Sequence, residues 1–337
     1  MKEVSSQRSK VRQSHYYCIL SWILLFALIV PANAQDTKKI PRIGFLAVLA
    51  GVLATEQAFL QGLRDLGYID GQNITIDYRF AAGKVERLPE LAEELVRLKP
   101  ELIVARATPA AQAAKNATTT IPIVMFGVAD AVGSGFVTNL ARPGGNMTGV
   151  TNIMPELAGK RLELLREVLP KLSRVAFLAY APDPAHKLFV KEAQQAAERL
   201  GLKFQPLVIT AVEEIESAFS AMTKERAGAL IVQPLFSSSL GQGKKIADLA
   251  LRNRLPTMSD GGSFPEAGGL MLYGPNQLHS ARRVAVFVDK ILKGAKPGDL
   301  PVEQPTTFEF VINLKTEKAL NLTIPQSVLY RADRVIK

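Results

Sequence analysis

Short, almost continuous apolar runs alternate along the chain with longer segments in which apolar residues recur every three or four positions. The first run, "RIGFLAVL" (Arg42–Leu49), precedes "TEQAFLQGLRDLGY", where Phe59, Leu63 and Leu66 share one helical face. "NITIDYRF" precedes "ERLPELAEELVRL", with Leu88, Leu91, Leu95 and Leu98 at helical spacing. "ELIVARA" leads into "TPAAQAAKNA", where Thr108 suits an N-cap and Pro109 the first helical position. "IPIVMFGV" makes a fourth strand. The rhythm then restarts. Helix "AGKRLELLREVLP" is followed by strand "RVAFLAYA" and helix "DPAHKLFVKEAQQAAERLG", capped by Asp183 and stopped by Gly201. "KFQPLVI" comes before "TAVEEIESAFSAM", which opens on the capping-box pair Thr210 and Glu213. "AGALIVQP", helix "SSLGQGKKIADLALRN", the short strands "LPTMS" and "GGLMLYG", helix "PNQLHSARRVAVFVDKILKG" and strand "TTFEFVINL" complete the series before a short last helix.

Apolar strands separated by amphipathic helices predict a parallel sheet covered on both faces. Here that pattern occurs twice. The expected fold class is α/β, with two doubly wound parallel-sheet lobes. Residues 40–152 plus 275–300 form the first lobe and 153–274 plus 301–337 the second. The join falls near Gly149–Glu156 and the returns near Gly274 and Pro297–Pro305.

The N-terminus has a different pattern. Lys2, Arg8, Lys10 and Arg12 precede "CILSWILLFALIV" (Cys18–Val30), an apolar core short for a membrane span, and "PANA" supplies Ala32 and Ala34. This order predicts a signal peptide over residues 1–34, cleavage before Gln35 and a periplasmic protein. The only cysteine, Cys18, lies inside the leader behind His15, Tyr16 and Tyr17, which does not suit lipidation. The mature chain then has neither disulfide nor thiol nucleophile.

The whole chain carries +10, and residues 1–34 hold four basic groups and one acidic, so the remainder keeps +7. Its basic residues are interspersed with acidic ones, as in "ERLPELAEELVRLKPE", which argues against a nucleic-acid partner. Known chemistries are excluded in turn. "GSGFVTNLARPGG" lacks the third glycine of a dinucleotide fingerprint, and "SSSLGQGKK" has Lys245 where a phosphate loop needs Ser or Thr. After the leader only His186 and His279 remain, with no second histidine four residues on, and no G-x-S-x-G elbow occurs. Neither a catalytic set, a metal site nor a cofactor is expected.

What remains is geometry: in open α/β sheets ligands bind beyond the C-terminal strand ends. Those ends carry the candidate ligand-binding residues Thr55, Arg106, Thr108, Gly127, Asp130, Tyr180, Asp183, Phe236, Asp260, Tyr273 and Asn276. Helix starts there offer free amides to an anion, and Arg106 suits two-pronged carboxylate binding unless it turns outward. Asp183 has a competing role as a helix cap, and the aromatics could equally be core.

The blocks "LAEELVRLKPELIVARATPAAQAAKNATTTIPIVMFGVADAVGSGFVTNLARPGGNMTGV", "EAGGLMLYGPN" and "VDKILKGAKPGDLPVEQPTTFEFVINLKTEKALNLTIP" resemble the ABC transporter substrate-binding proteins of tryptophan/tyrosine type. The resemblance implies a type I periplasmic-binding fold, with three crossovers between the lobes and a small ligand, such as an aromatic amino acid, held between them. It also implies ABC permease subunits as partners and a monomer. A sensor subunit, or an enzyme on the same fold, is the alternative. Three departures fall on the rim. Arg106-Ala107 stands where the family has Ser-Gly, Ala131 where it has proline, and "SDGGSFPEAGG" where it is more aromatic.

Overall fold

The computed structural model describes residues 40–153 and 156–337. The expected leader, with Cys18 and the Ala34–Gln35 bond, lies outside them. Strands β1 (Arg42–Ala47), β2 (Thr75–Phe80), β3 (Leu102–Arg106), β4 (Ile123–Ala129) and β5 (Met147–Asn152) form a parallel sheet in the order β2-β1-β3-β4-β5. Helices α1 (Ala54–Asp65), α2 (Leu88–Arg97) and α3 (Ala107–Ala117) connect the first four strands. Strands β1, β3 and β4 are buried on both faces, which is why they read as unbroken apolar runs.

From β5 the chain crosses to a second layer. In order come α4 (Ala158–Val168), β6 (Arg174–Tyr180), α5 (His186–Arg199), β7 (Lys203–Ile209), α6 (Ile215–Lys224), β8 (Ala229–Val232), α7 (Pro234–Ser238), α8 (Gly243–Arg252), β9 (Thr257–Ser259) and β10 (Met271–Pro275). The chain then returns as α9 (Gln277–Leu292), which packs on α1 and β4 of the first sheet. A Cβ on Gly62 would stand 2.9 Å from the Ala285 Cβ, so the missing side chain is what lets α1 and α9 approach so closely. A third crossing leads to β11 (Phe308–Asn313), α10 (Leu314–Ala319), α11 (Gln326–Leu329) and β12 (Arg334–Ile336). The crossing segments are bonded together: the Glu303 amide donates to Gly149 (2.9 Å) and the Asn276 amide to Thr307 (2.9 Å).

The second sheet has the order β12-β11-β10-β9-β8-β6-β7 and is parallel except at one junction, where β11 runs antiparallel to β10. The crossing itself is the reason: a chain re-entering from the first lobe begins at the end where the parallel strands finish. The architecture is thus two α/β lobes joined by three crossings. One apolar cluster surrounds Phe45, Phe59, Phe126 and Phe287 of the first lobe, and a second surrounds Leu162, Phe177, Phe189 and Phe310 of the second. A third runs from Leu95, Ile103 and Met125 to Leu178, Phe236 and Ile246, so the lobes share continuous apolar contact. Each fully buried Phe or Leu of these clusters is worth about 1.5–3 kcal/mol.

Local signals were read less accurately than the elements. Because β3 feeds directly into α3, the N-cap is Arg106, without a side-chain cap bond; Thr108 lies inside the first turn and its hydroxyl accepts from the Ala129 amide (3.1 Å). The box expected between Thr210 and Glu213 is closed by Glu214, whose carboxylate accepts from the Ala211 amide (3.1 Å), because a 3₁₀ turn precedes α6. Asp183 precedes the start of α5 and accepts from the Ala185 amide (3.0 Å), a turn ahead of the helix rather than its cap.

Candidate functional site

The strand ends of the two sheets meet in a narrow chamber of about 40 Å³. Arg106, Ala107, Thr108, Phe126, Gly127 and Asn152 line it from the first lobe, with Gln277 from the start of α9. Asp183, Phe189, Leu235, Ser238, Ser239, Gly261 and Gly262 line it from the second. A wider outer chamber, about 460 Å³, shares Arg106, Ser238, Gly261, Gly262 and Gln277 and is bounded further out by Leu53, Thr55, Leu272 and Leu278. Arg106 therefore lines both spaces.

Arg106 is almost fully buried, and its groups are engaged by the protein itself. Its Nε stands 2.6 Å from the Glu56 carboxylate, as an ion pair. One terminal nitrogen donates to the Thr55 hydroxyl (3.1 Å). The other donates across the cleft, to the Ser238 carbonyl (3.3 Å) and the Ser239 hydroxyl (3.3 Å). The guanidinium also lies over the Phe126 ring, 5.5 Å from its centroid. Burial lowers the Arg106 pKa and Glu56 opposes that shift. Glu56 is held in turn by the Leu53 amide (3.1 Å) and the Thr55 hydroxyl (3.0 Å). Ala107, next along, takes φ +69°, a left-handed backbone that favours glycine; an alanine occupies it here.

Two buried carboxylates lie on the second-lobe side. Asp183 accepts from the Ala185 amide and from the Gln233 side-chain amide (2.7 Å), while the Gln233 oxygen accepts from the Tyr180 amide (2.7 Å). Burial pushes the Asp183 carboxyl up to about 6, against the pull of those two donors. Asp260 is fully buried just behind Gly261 and faces Arg161 at 3.4 Å, and burial pushes it up to about 7. A Cβ on Gly274 would lie 2.1 Å from the Asp260 carbonyl, so only glycine lets β10 pass this close. Arg161 donates to the Tyr273 carbonyl (2.8 Å), and burial lowers its pKa while Asp260 raises it.

Of the candidates read from sequence, Arg106, Thr108, Gly127 and Asp183 line the inner chamber and Thr55 the outer one. Asp260 sits immediately behind the wall. Asn276 is one residue short of it, its side chain spent on the His279 amide (2.9 Å) as the N-cap of α9. Asp130 turns back on its own loop, accepting from the Gly133 amide (2.9 Å). Tyr180 and Phe236 meet edge to face inside the core, with ring centroids 5.7 Å apart. Tyr273 packs on Phe308 and Phe310. These four lie outside both linings because a strand-end side chain turns to core or rim according to what packs on it. Sequence reading missed Glu56, Asn152, Phe189, Ser239 and Gln277. Gln277 alone had a signal, standing next to the candidate Asn276 at a helix start. Among the described residues, no His, Cys, Asp or Glu cluster could hold a metal ion, and no helix is long and apolar enough to cross a membrane.

Residues 47–336 match the model of a family described as ABC transporter substrate binding protein. A "Tyrosine-binding protein" of Clostridioides difficile is 29% identical over 291 residues, covering 85% of this chain and 83% of the relative. A Streptococcus pneumoniae ABC domain in complex with L-Trp is 29% identical, with a TM-score of 0.81 over 88% of this chain and 99% of that one. The ligand-free, open structure of a Clostridium difficile substrate binding protein with adhesive properties is 26% identical, covers the same shares and scores 0.63. Two α/β lobes, three crossings and a chamber lined from both sides agree with a family match over nearly all the described residues: the chain belongs to the ABC transporter substrate-binding proteins.

Proposed function

We propose that the protein captures a small solute outside the cytoplasmic membrane, in the cleft formed by the inner and outer chambers together, and presents it to an ABC permease without chemistry on the solute. The observation that carries this reading is the chamber itself, lined by residues of both lobes, so that closing the lobes and enclosing a solute are one event. The higher similarity to the L-Trp complex than to the ligand-free, open relative supports a closed arrangement here. The relatives named for tyrosine and crystallised with L-Trp support an aromatic amino acid as solute.

In this reading residues 40–152 and 275–300 move as one lobe against 153–274 and 301–337. The chain works as a periplasmic monomer after loss of residues 1–34, and N-terminal sequencing of exported protein begins at Gln35. Of the residues singled out in the sequence, Thr55, Arg106, Thr108, Gly127 and Asp183 form the solute site. Calorimetric titration of ligand-stripped protein with L-tyrosine and L-tryptophan, with small-angle scattering at saturation, tests it. Binding with a smaller radius of gyration is expected, recovered solute being unchanged. An unaltered scattering curve, or a converted solute, refutes it.

A further inference from the structure

The charges around the inner chamber do not balance. Among the described residues, Arg106 and Asp183 are the only charged side chains that line it. Arg106 is already matched by Glu56 at 2.6 Å, and three of its four remaining N–H donors are directed to Thr55, Ser238 and Ser239. Asp260, behind the wall, faces Arg161. Asp183 is held, among the described residues, by neutral partners, the Ala185 amide and the Gln233 side chain. Those two donors use half of a carboxylate's acceptor capacity. They also hold the group still, because Gln233 is fully buried and its own oxygen is tied to the Tyr180 amide.

We infer that Asp183 anchors a positively charged nitrogen of the solute, so that the chamber selects amines and amino acids over acids that lack an amine. The inference rests on the inner chamber being part of the solute site. A buried carboxylate without a cation is costly, and an entering ammonium removes that cost while gaining a charged hydrogen bond. A solute bearing only a carboxylate meets the reverse: a guanidinium already neutralised and a second anion close by. The carboxylate of an amino acid is left to neutral donors along the same wall, the Ser238 and Ser239 hydroxyls, which also bond each other (3.3 Å), and the Gly262 amide. Burial holds Asp183 well above the usual carboxylate range, which is the condition of a group awaiting its counter-charge.

The test compares three compounds with one side chain: L-tyrosine, tyramine and 3-(4-hydroxyphenyl)propionate, titrated calorimetrically into ligand-stripped protein at pH 7.5. Tyrosine and tyramine are expected to bind and the propionate to fail. Asp183→Asn is expected to weaken tyrosine and tyramine by roughly 10- to 100-fold, the scale of one charged hydrogen bond. Because the amide introduced by Asp183→Asn would oppose that of Gln233, the double variant Asp183→Asn/Gln233→Glu serves as control. It restores the hydrogen bond and moves the negative charge to the next side chain, and part of the amine affinity is expected to return. Circular dichroism and thermal unfolding verify that each variant folds. A propionate that binds as tightly as tyrosine, or a folded Asp183→Asn that binds tyrosine unchanged, overturns the inference and leaves the solute-binding reading intact. If none of the three binds, the aromatic assignment fails, and L-leucine, 3-methylbutylamine and 4-methylpentanoate repeat the comparison. Acid preference, or silence, in that second set overturns the inference as well.

Discussion

Replacing Glu56 by glutamine should destabilise the protein severely, although Glu56 sits near a helix start where a charge change is ordinarily mild. Among the described residues its carboxylate is the anion paired with Arg106, and the two side chains are 1% and 8% exposed. Glutamine preserves shape and an acceptor for the Leu53 amide, so the change isolates the charge. Arg106 would then stay buried against neutral oxygens from Thr55, Ser238 and Ser239. Stranding one partner of a buried pair costs about 3–5 kcal/mol, and the neutral acceptors bring the expectation to the lower end, about 3 kcal/mol. Arg106→Met alone should cost less, since Glu56 retains the Leu53 amide and the Thr55 hydroxyl. The double variant should lie closer to wild type than Glu56→Gln does, with a coupling of about 2–3 kcal/mol. Urea unfolding of ligand-stripped protein at pH 7.5 measures all four corners of the cycle, and 0.5 M NaCl should barely change the coupling, because buried pairs escape screening. A Glu56→Gln cost below about 1 kcal/mol, or a coupling that salt abolishes, would mean that the pair is solvated like a surface bridge, and the closed geometry around Arg106 would be refuted.

Ala107→Gly should raise stability by about 0.5–1 kcal/mol: it removes roughly 1–2 kcal/mol of left-handed strain at φ +69° and gives back part of it as unfolded-chain entropy. A lower midpoint in thermal unfolding would contradict this. Asp183 gives stability a pH dependence of definite sign. Its carboxyl ionises near 3.8 in the unfolded chain and near 6 in the fold, so stability falls as pH rises between those values, by roughly 3 kcal/mol without solute, and is not regained at pH 7–8. Urea unfolding from pH 4 to 7.5 should show a shallower fall in Asp183→Asn than in wild type, the remainder coming from Asp260, whose carboxyl is pushed up to about 7; equal slopes would mean that Asp183 is hydrated.

The fold was legible because its signals are local. The apolar runs of β1, β3 and β4 and the leucine spacing of α2 are visible within a dozen residues, and each maps onto an element. The antiparallel entry of β11 was not, since strand direction depends on where the third crossing enters the sheet. At the site, position was legible and occupation was not. Thr55, Arg106, Thr108, Gly127 and Asp183, picked out at strand ends, line the two chambers, yet nothing in "FEF" or "AYA" tells whether an aromatic there faces the rim or, like Tyr180, the core.

Charge was hardest to read, because the charge of a site is a sum over pairs formed between distant segments. In sequence, Arg106 is a lone cation at a helix start and points to a carboxylate-bearing solute, while Asp183 is spoken for as a cap. In the fold Arg106 meets Glu56 from another helix and is neutralised. Asp183, bound by amides, keeps its charge uncompensated beside the chamber. Arg106 read alone suggests an anion site; once its pairing with Glu56 is known, the inferred site is one for a cation, so a single contact between β3 and α1 reverses the sign of the solute group inferred for this cleft.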